Sequence, residues 1–152
     1  MPKWRKRLLI LLAIVAAAVL GLALYIDDWS RDFTTNTAEI SEHSKDPTLR
    51  PLIVERSLPE VVEVIKAASR RIRDWEFVGD AGDQDTAVLL FVRTSRIWRF
   101  KDDVTMRVED LGDRCAITGE SRSRVGVGDL GQNPRTLRRI LREIRAVLDG
   151  SK

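Results

Sequence analysis

An uncharged apolar run near the N-terminus constrains this chain more than any other feature. The run is LLILLAIVAAAVLGLALYI, residues Leu8–Ile26. As a helix that rises about 1.5 Å per residue, its roughly 19 residues span a hydrocarbon core of about 30 Å. A core helix of a soluble domain keeps a polar face, whereas this run is apolar all round. The sequence therefore predicts a transmembrane helix.

The charges beside the run predict its orientation. Four basic residues precede it, and two acidic residues, Asp27 and Asp28, follow it; the basic ones are Lys3, Arg5, Lys6 and Arg7. Because positive charge is retained in the cytoplasm, we expect the N-terminus inside and everything after Tyr25 outside. Trp4 and Tyr25 stand where interfacial aromatic residues belong.

A cleaved signal peptide is the alternative to an anchor. Gly21 and Ala23 offer small residues at the separation that signal peptidase recognises. Secretory apolar regions usually end after about 7 to 15 residues, however, and this run continues beyond that length. We therefore favour a single-pass anchor in the cell membrane with an extracytoplasmic C-terminal domain.

The basic tail also accounts for the net charge of the chain. The whole sequence has 26 basic and 23 acidic residues, for a formal charge of +3. Without the four basic residues of the tail, 22 basic residues face 23 acidic ones. The outer domain thus lacks the basic surplus of nucleic-acid-binding proteins, and we expect no nucleic-acid partner.

Cysteine and histidine are too scarce for several kinds of site. Cys115 is the one cysteine, so no disulfide can form within the chain, and His43 is the one histidine. A zinc or haem site needs more such ligands than these two residues supply. We expect no protein-supplied metal site and no cofactor.

The sequence divides into four segments. Residues 1–7 are predicted to form a cytoplasmic basic tail, 8–26 the transmembrane anchor, 27–51 a polar extended arm, and 52–150 an extracytoplasmic domain. In that domain a short strand, 52–57, precedes a helix with the capping-box pair Ser57 and Glu60. Four strands and a final helix follow; the strands are DWEFVG, TAVLLFVRTS, DVTMRVED and RCAITGESRS. The order predicts an α+β fold, an antiparallel sheet of about five strands with two helices on one face.

The second of those four strands has two apolar faces. Ala87, Leu89 and Phe91 point to one face of the sheet; Val88, Leu90 and Val92 point to the other. The helices can cover only one face. The other is free to meet the arm, another chain, the bilayer or an apolar ligand.

The stretch GVGDLG, Gly126–Gly131, matches the letters of the dinucleotide-binding fingerprint. That site needs a second parallel strand after its helix, and here only the final helix follows. Asp129 would also place a carboxylate where phosphate must bind, and Asn133 before Pro134 supplies a helix N-cap and first turn. We interpret the glycines as a shaped entry into the last helix and expect no bound nucleotide.

Two motifs carry a resemblance to a known family. RTSRIWRFKDDV, Arg93–Val104, and SRSRVGVGDLGQNPRTLRRI, Ser121–Ile140, resemble the domain-of-unknown-function family numbered 1499, and the likeness covers residues 33–148. Many relatives have an Asn-Cys-Val stretch ahead of the domain where this chain has TTNTAEI, so no thiol role falls to the arm. The resemblance implies no known reaction.

The two motifs contain a cluster of polar residues that is the candidate site: Arg93, Asp102, Asp103, Ser123, Arg124, Asp129 and Asn133. Asp102 and Asp103 are adjacent on a strand, so they point to opposite faces and cannot act as a paired acid and base. Asp102 shares a face with Val104 and can turn inward toward Arg93, Arg122 or Arg124. We favour a structural ion-pair cluster over the polar end of a ligand pocket.

No residue set in the chain has the pattern of a nucleophile with its base, so no catalytic residue is predicted. The leading hypothesis is a membrane-anchored extracytoplasmic binding or interaction domain. It would contact the bilayer through residues 8–26 and a membrane or envelope protein through its domain. A carrier or sensor of an apolar, lipid-like ligand is the first alternative, and an envelope hydrolase the second. The arginine-rich face of the last helix is interpreted as solvated rather than bound to anionic headgroups.

Overall fold

A computed structural model describes residues 2–26 and 28–150 of the chain. Met1, the first residue of the predicted tail, and Asp27, the first of the predicted arm, lie outside the described residues.

The apolar run forms one long helix, α1, which extends over Lys3–Tyr25. It begins before the run because Lys and Arg are good helix formers and continue the helix into the basic tail. None of its residues is buried, and an 18-residue stretch of it has a mean hydropathy of 2.8. By length and composition α1 is able to cross a membrane.

The domain is α+β, as predicted, and its antiparallel sheet has six strands rather than about five. The strands are β1 Thr37–Ile40, β2 Leu52–Val54, β3 Trp75–Gly82, β4 Thr86–Thr94, β5 Lys101–Asp110 and β6 Cys115–Ser123. Their order across the sheet is β1-β6-β5-β4-β3, and β2 continues the β1 edge by pairing with the other half of β6.

The additional strand lies in the segment predicted to be an extended arm. Between residues 28 and 51 the chain forms a short helix, α2 Trp29–Thr34, then β1, then a 3-10 turn at Pro47–Leu49. β1 has only four residues, and it is a strand because Thr37 to Ile40 pair with Arg122 to Gly119 of β6. Four residues are too few to show the alternation of apolar and polar side chains that identifies a strand in a sequence. The pairing with β6 is what identifies β1 as a strand.

Two amphipathic helices pack on one face of the sheet, α3 Leu58–Arg70 and α4 Gln132–Asp149. The predicted capping box starts α3, where the Ser57 N–H donates to Glu60 Oε2 at 3.0 Å. Leu89 and Phe91 of β4 are buried beneath the helices. Every member of this core cluster lies between residues 38 and 148, so the described domain has its own core without α1.

The other face of the sheet is open where β4 crosses it. Val88, Leu90 and Val92 lie on this face, and the side chain of Leu90 is 40% exposed. Both packing helices of the described chain are on the opposite face. No helix of the described residues packs on this stripe of β4, and antiparallel sheets commonly have one solvated face.

Candidate functional site

Three of the predicted site residues lie side by side at one end of the sheet. Arg93 of β4 pairs with Asp102 of β5, and Asp102 pairs with Ser123 of β6. The β4–β5 loop, residues 95–100, and the β6–α4 loop, residues 124–131, leave the sheet at this same end. We call it the loop end of the domain.

Arg93 and Asp102 form a buried ion pair. Arg93 Nη1 donates a short hydrogen bond to Asp102 Oδ2, and the side chains are 12% and 4% exposed. The pair extends to Asp74, whose Oδ2 lies 3.4 Å from Arg93 Nε, and then to Arg139 Nη1, 3.1 Å from Asp74 Oδ1. Two positive and two negative side chains therefore alternate in one network, and each charge has an opposite neighbour.

Asp74 and Arg139 were not among the predicted site residues. Asp74 directly precedes β3 and comes close because Trp75 pairs with Arg93. Arg139 belongs to the arginine-rich side of α4, which we expected from the sequence to be solvated. The pairing register of β3 on β4 brings Asp74 to Arg93. Predicting the order of the strands does not predict this register.

Asp103 points to the opposite face of the sheet and pairs with Arg124. Arg124 Nη2 donates to Asp103 Oδ1 at 2.6 Å, and Nε lies 3.0 Å from Oδ2. The hydrogen bond from Arg124 lowers the pKa of the Asp103 carboxyl below its ordinary value. Both side chains are about half exposed, so the pair is a surface ion pair of small energetic weight.

Asp129 caps the start of α4. Its Oδ1 accepts the Gly131 N–H at 2.8 Å and its Oδ2 accepts the Asn133 N–H at 2.7 Å. The sequence assigned the N-cap to Asn133, but the helix begins at Gln132 and Asn133 lies in its first turn. A carboxylate suits this position because the first N–H groups of a helix lack partners and carry partial positive charge.

Asn133 instead joins three parts of the fold. Its Nδ2 donates to the Asn36 carbonyl at 2.7 Å and to Ser123 Oγ at 3.0 Å, and its Oδ1 accepts from Ser121 Oγ at 2.6 Å. Asn36 in turn donates to the carbonyls of Ser123 and Gly126. Asn133 is fully buried, so these bonds satisfy an amide that cannot reach water.

The glycines of GVGDLG allow backbone conformations and close contacts that other residues would not. Gly126 and Gly131 have positive φ, 96° and 73°, a conformation that glycine adopts without strain. A Cβ on Gly128 would lie 2.6 Å from the backbone of Phe33, and one on Gly131 would meet the carboxylate of Asp32. The loop therefore packs closely on α2 before α4 begins, which agrees with its interpretation as a helix entry.

Exposed apolar side chains concentrate at the loop end. Ile97 and Trp98 of the β4–β5 loop are 81% and 73% exposed. We define the loop-end patch as Ile97, Trp98, Phe100, Val125 and Val127, all at least half exposed. Its two loops are neighbours, because the Arg124 N–H donates to the Lys101 carbonyl at 3.0 Å.

The end of α1 lies against this same end of the domain. The Arg135 guanidinium stacks 3.9 Å from the centre of the Tyr25 ring, and its Nη1 donates to the Tyr25 carbonyl at 3.1 Å. Tyr25 also lines an open groove of about 510 Å³ together with Trp98 and Arg93. The groove thus connects the last turn of α1, the loop-end patch and the buried ion-pair network.

The arginines of α4 are partly paired rather than uniformly solvated. Arg138 Nη2 lies 2.7 Å from Asp46 Oδ2, and Arg139 contacts Asp74. Burial raises the pKa of Asp46, but hydrogen bonds from Thr48 and Arg138 outweigh it and leave the pKa below its ordinary value. Arg142 is exposed, so the solvated character is retained only toward the C-terminal half of the helix.

Comparison with known proteins agrees with the resemblance carried by the two motifs. The family model described as "Protein of unknown function (DUF1499)" matches residues 28–144, which is most of the chain and includes every residue of the candidate site. No curated protein matches the chain. The chain therefore belongs to the family of proteins of unknown function numbered 1499.

Proposed function

We propose that this protein is a single-pass membrane protein whose domain lies outside the cytoplasm and acts as a non-enzymatic interaction module. The length of α1 supports the anchor, and the four basic residues before it support a cytoplasmic N-terminus. The loop-end patch is the contact surface in this proposal.

The patch is the observation that carries the interaction role. Large contiguous apolar patches are rare on the surface of monomeric domains, and they commonly mark a contact site for a protein or a membrane. The buried polar residues of the same region already satisfy one another, as Arg93 with Asp102 and Asn133 with Ser123 illustrate. The surface left available for a partner therefore consists of the apolar patch and the exposed arginines beside it.

A hydrolase is supported less well. Ser121 and Ser123 lie on β6 beside the buried Asp102, and both hydrogen-bond the amide of Asn133. A serine nucleophile needs a general base within hydrogen-bond reach, which an amide is not. A carrier of an apolar ligand is also supported less well, because such sites bury most of the ligand, whereas the stripe of Leu90 on the sheet is an open face.

Oxidative footprinting in native membranes tests the proposed contact surface. Hydroxyl-radical labelling would be measured residue by residue on the full chain in its own membranes and on purified residues 28–152, which contain every member of the core cluster. We expect the five patch residues to be labelled in the purified domain and protected in membranes. Leu111 and Ile53 are matched controls, since they are 50% and 49% exposed at the opposite end of the sheet.

Two outcomes contradict the proposal. Equal labelling of the patch in both samples would show that nothing contacts it. Protection of Leu90 without protection of Trp98 would move the contact surface to the open face of the sheet.

A further inference from the structure

We propose that the partner of the loop-end patch is the lipid bilayer itself, with Trp98 and its neighbours inserted at the membrane–water interface beside the end of α1. The inference rests on the proposed function, because it requires α1 to be the membrane anchor. It adds the identity of the partner, an anionic lipid surface, and the residues that contact it.

The position of Tyr25 places the patch at the right depth. Tyr25 is the last residue of the apolar helix, where interfacial aromatic residues mark the level of the headgroups. Tyr25, Ile97 and Trp98 line one groove. Because Tyr25 and the tip of the β4–β5 loop line the same groove, a Tyr25 at the membrane–water interface brings the tip close to the lipid headgroups.

Contacts between α1 and α4 hold the domain in this orientation. Arg135 contacts both the ring and the carbonyl of Tyr25, and Ile26, which follows, is only 5% exposed. Arg135 is also bound to the Leu130 carbonyl of the β6–α4 loop. The last turn of the anchor therefore contacts the loop end of the domain. In this orientation the loop end faces the bilayer.

The β4–β5 loop presents its side chains on a closed hairpin. The Ser95 N–H donates to the Phe100 carbonyl at 2.8 Å, and the Phe100 N–H donates to Ser95 Oγ at 2.9 Å. Arg99 has a positive φ of 57°, which completes the turn. Ile97 and Trp98 are thus held outward at the tip, so little ordering is required when they enter the interface.

The chemistry of the loop suits lipid headgroups. Trp98 has the amphipathic ring that favours the interface, and Ile97 can enter the acyl boundary beside it. Arg96 and Arg99 flank them and are exposed. Each arginine near an anionic surface strengthens binding about fivefold. Because the chain beyond the tail has nearly balanced charge, attraction to anionic lipid must come from such a local group.

Spin-label depth measurements on the full chain test this inference. The chain would carry Cys115→Ala and one new cysteine, Tyr25→Cys, Trp98→Cys or Leu111→Cys, and would be reconstituted in phosphatidylcholine–phosphatidylglycerol vesicles without any other protein. Power saturation compares the access of oxygen and of a water-soluble nickel complex to each label. We expect the labels at 25 and 98 to lie at the interface and the label at 111 to lie in water.

The three labels separate the possible failures. A label at 25 in the interface with a label at 98 fully in water would overturn membrane docking and leave the anchor intact. If footprinting nonetheless finds Trp98 protected in native membranes, the partner of the patch is a protein. A label at 25 in water would show that α1 is not the anchor, which contradicts the proposed function as well.

A binding comparison tests the role of the charges without relying on a label. Residues 28–152 would be titrated with vesicles containing phosphatidylglycerol, as wild type, as Arg96→Gln with Arg99→Gln, and as Arg142→Gln with Arg145→Gln. The last pair is the matched control, because both residues are exposed on α4. We expect the first pair to weaken partition about 25-fold, from about fivefold for each arginine, and the control pair to leave it near wild type. Equal losses, or no loss in the first pair, would overturn the inference.

Discussion

Replacing Arg93 by methionine removes the positive charge that lies between the carboxylates of Asp102 and Asp74. The substitution keeps an unbranched side chain of similar length, so it mainly removes charge and hydrogen bonds. Asp74 retains Arg139, 3.1 Å away, whereas Asp102 loses the partner of its short hydrogen bond. The cost therefore falls chiefly on Asp102.

The burial of the pair sets the size of the effect. The Asp102 side chain is only 4% exposed, and removing one partner of a buried ion pair costs about 3 to 5 kcal/mol. Arg139→Met is the matched control, because the Arg139 side chain is 43% exposed and its loss should cost about 0 to 1 kcal/mol. Combining Arg93→Met with Asp102→Leu removes both charges and should cost less than the sum of the single changes.

Urea denaturation of residues 28–152 measures these differences. Trp75 is a suitable fluorescent reporter, since its ring packs 5.4 Å from Phe91 in the core. A small domain has about 5 to 15 kcal/mol of stability, so the expected loss moves the midpoint well beyond error. If Arg93→Met costs no more than Arg139→Met, or raises stability, the structural interpretation is refuted. The network would then resemble a ligand site that holds its charges at a cost to stability.

Three further predictions concern the glycine loop, the surface ion pair and the lone thiol. NAD, NADP, ATP and flavins should leave the melting temperature of residues 28–152 unchanged, whereas a nucleotide at about a hundred times its dissociation constant would add about 2.7 kcal/mol; a saturable rise would revive the dinucleotide site. Arg124→Met should raise the pKa of Asp103 toward its ordinary value in a carboxyl NMR titration. Because the folded pKa is lowered, the stability from this pair is present above the ordinary pKa of Asp and is lost as the pH falls through the folded pKa; an unchanged titration would contradict the pairing. Cys115 is buried, and burial raises the pKa of its thiol, so it should react with thiol reagents only in denaturant; rapid reaction of the native domain would disprove this.

Local patterns predicted most of the elements. The capping box at Ser57 placed the start of α3, and the alternation along β5 placed Asp102 on the buried face and Asp103 on the other. These predictions depend only on neighbouring residues and on the periods of helix and strand.

Features that depend on partners distant in sequence were not predictable in this way. β1 exists as a strand because β6 pairs with it, and Asp74 reaches Arg93 through the register of β3 on β4. Asn133, directly before Pro134, was predicted to cap α4, whereas in the structure Asp129 caps it. The choice depends on Asn36, 97 residues away from Asn133, whose carbonyl takes the Asn133 amide and leaves Asp129 to cap the helix.

The central claim is that α1 anchors the protein in a membrane with its domain outside the cytoplasm. Alkaline carbonate extraction of cell membranes, followed by protease treatment of intact spheroplasts, tests it most directly on the full chain. We predict that the intact chain stays in the membrane pellet and that external protease digests the domain. Release of a shortened domain into the soluble fraction would indicate a cleaved signal peptide, and a domain protected from protease until the cells are lysed would contradict the proposed orientation.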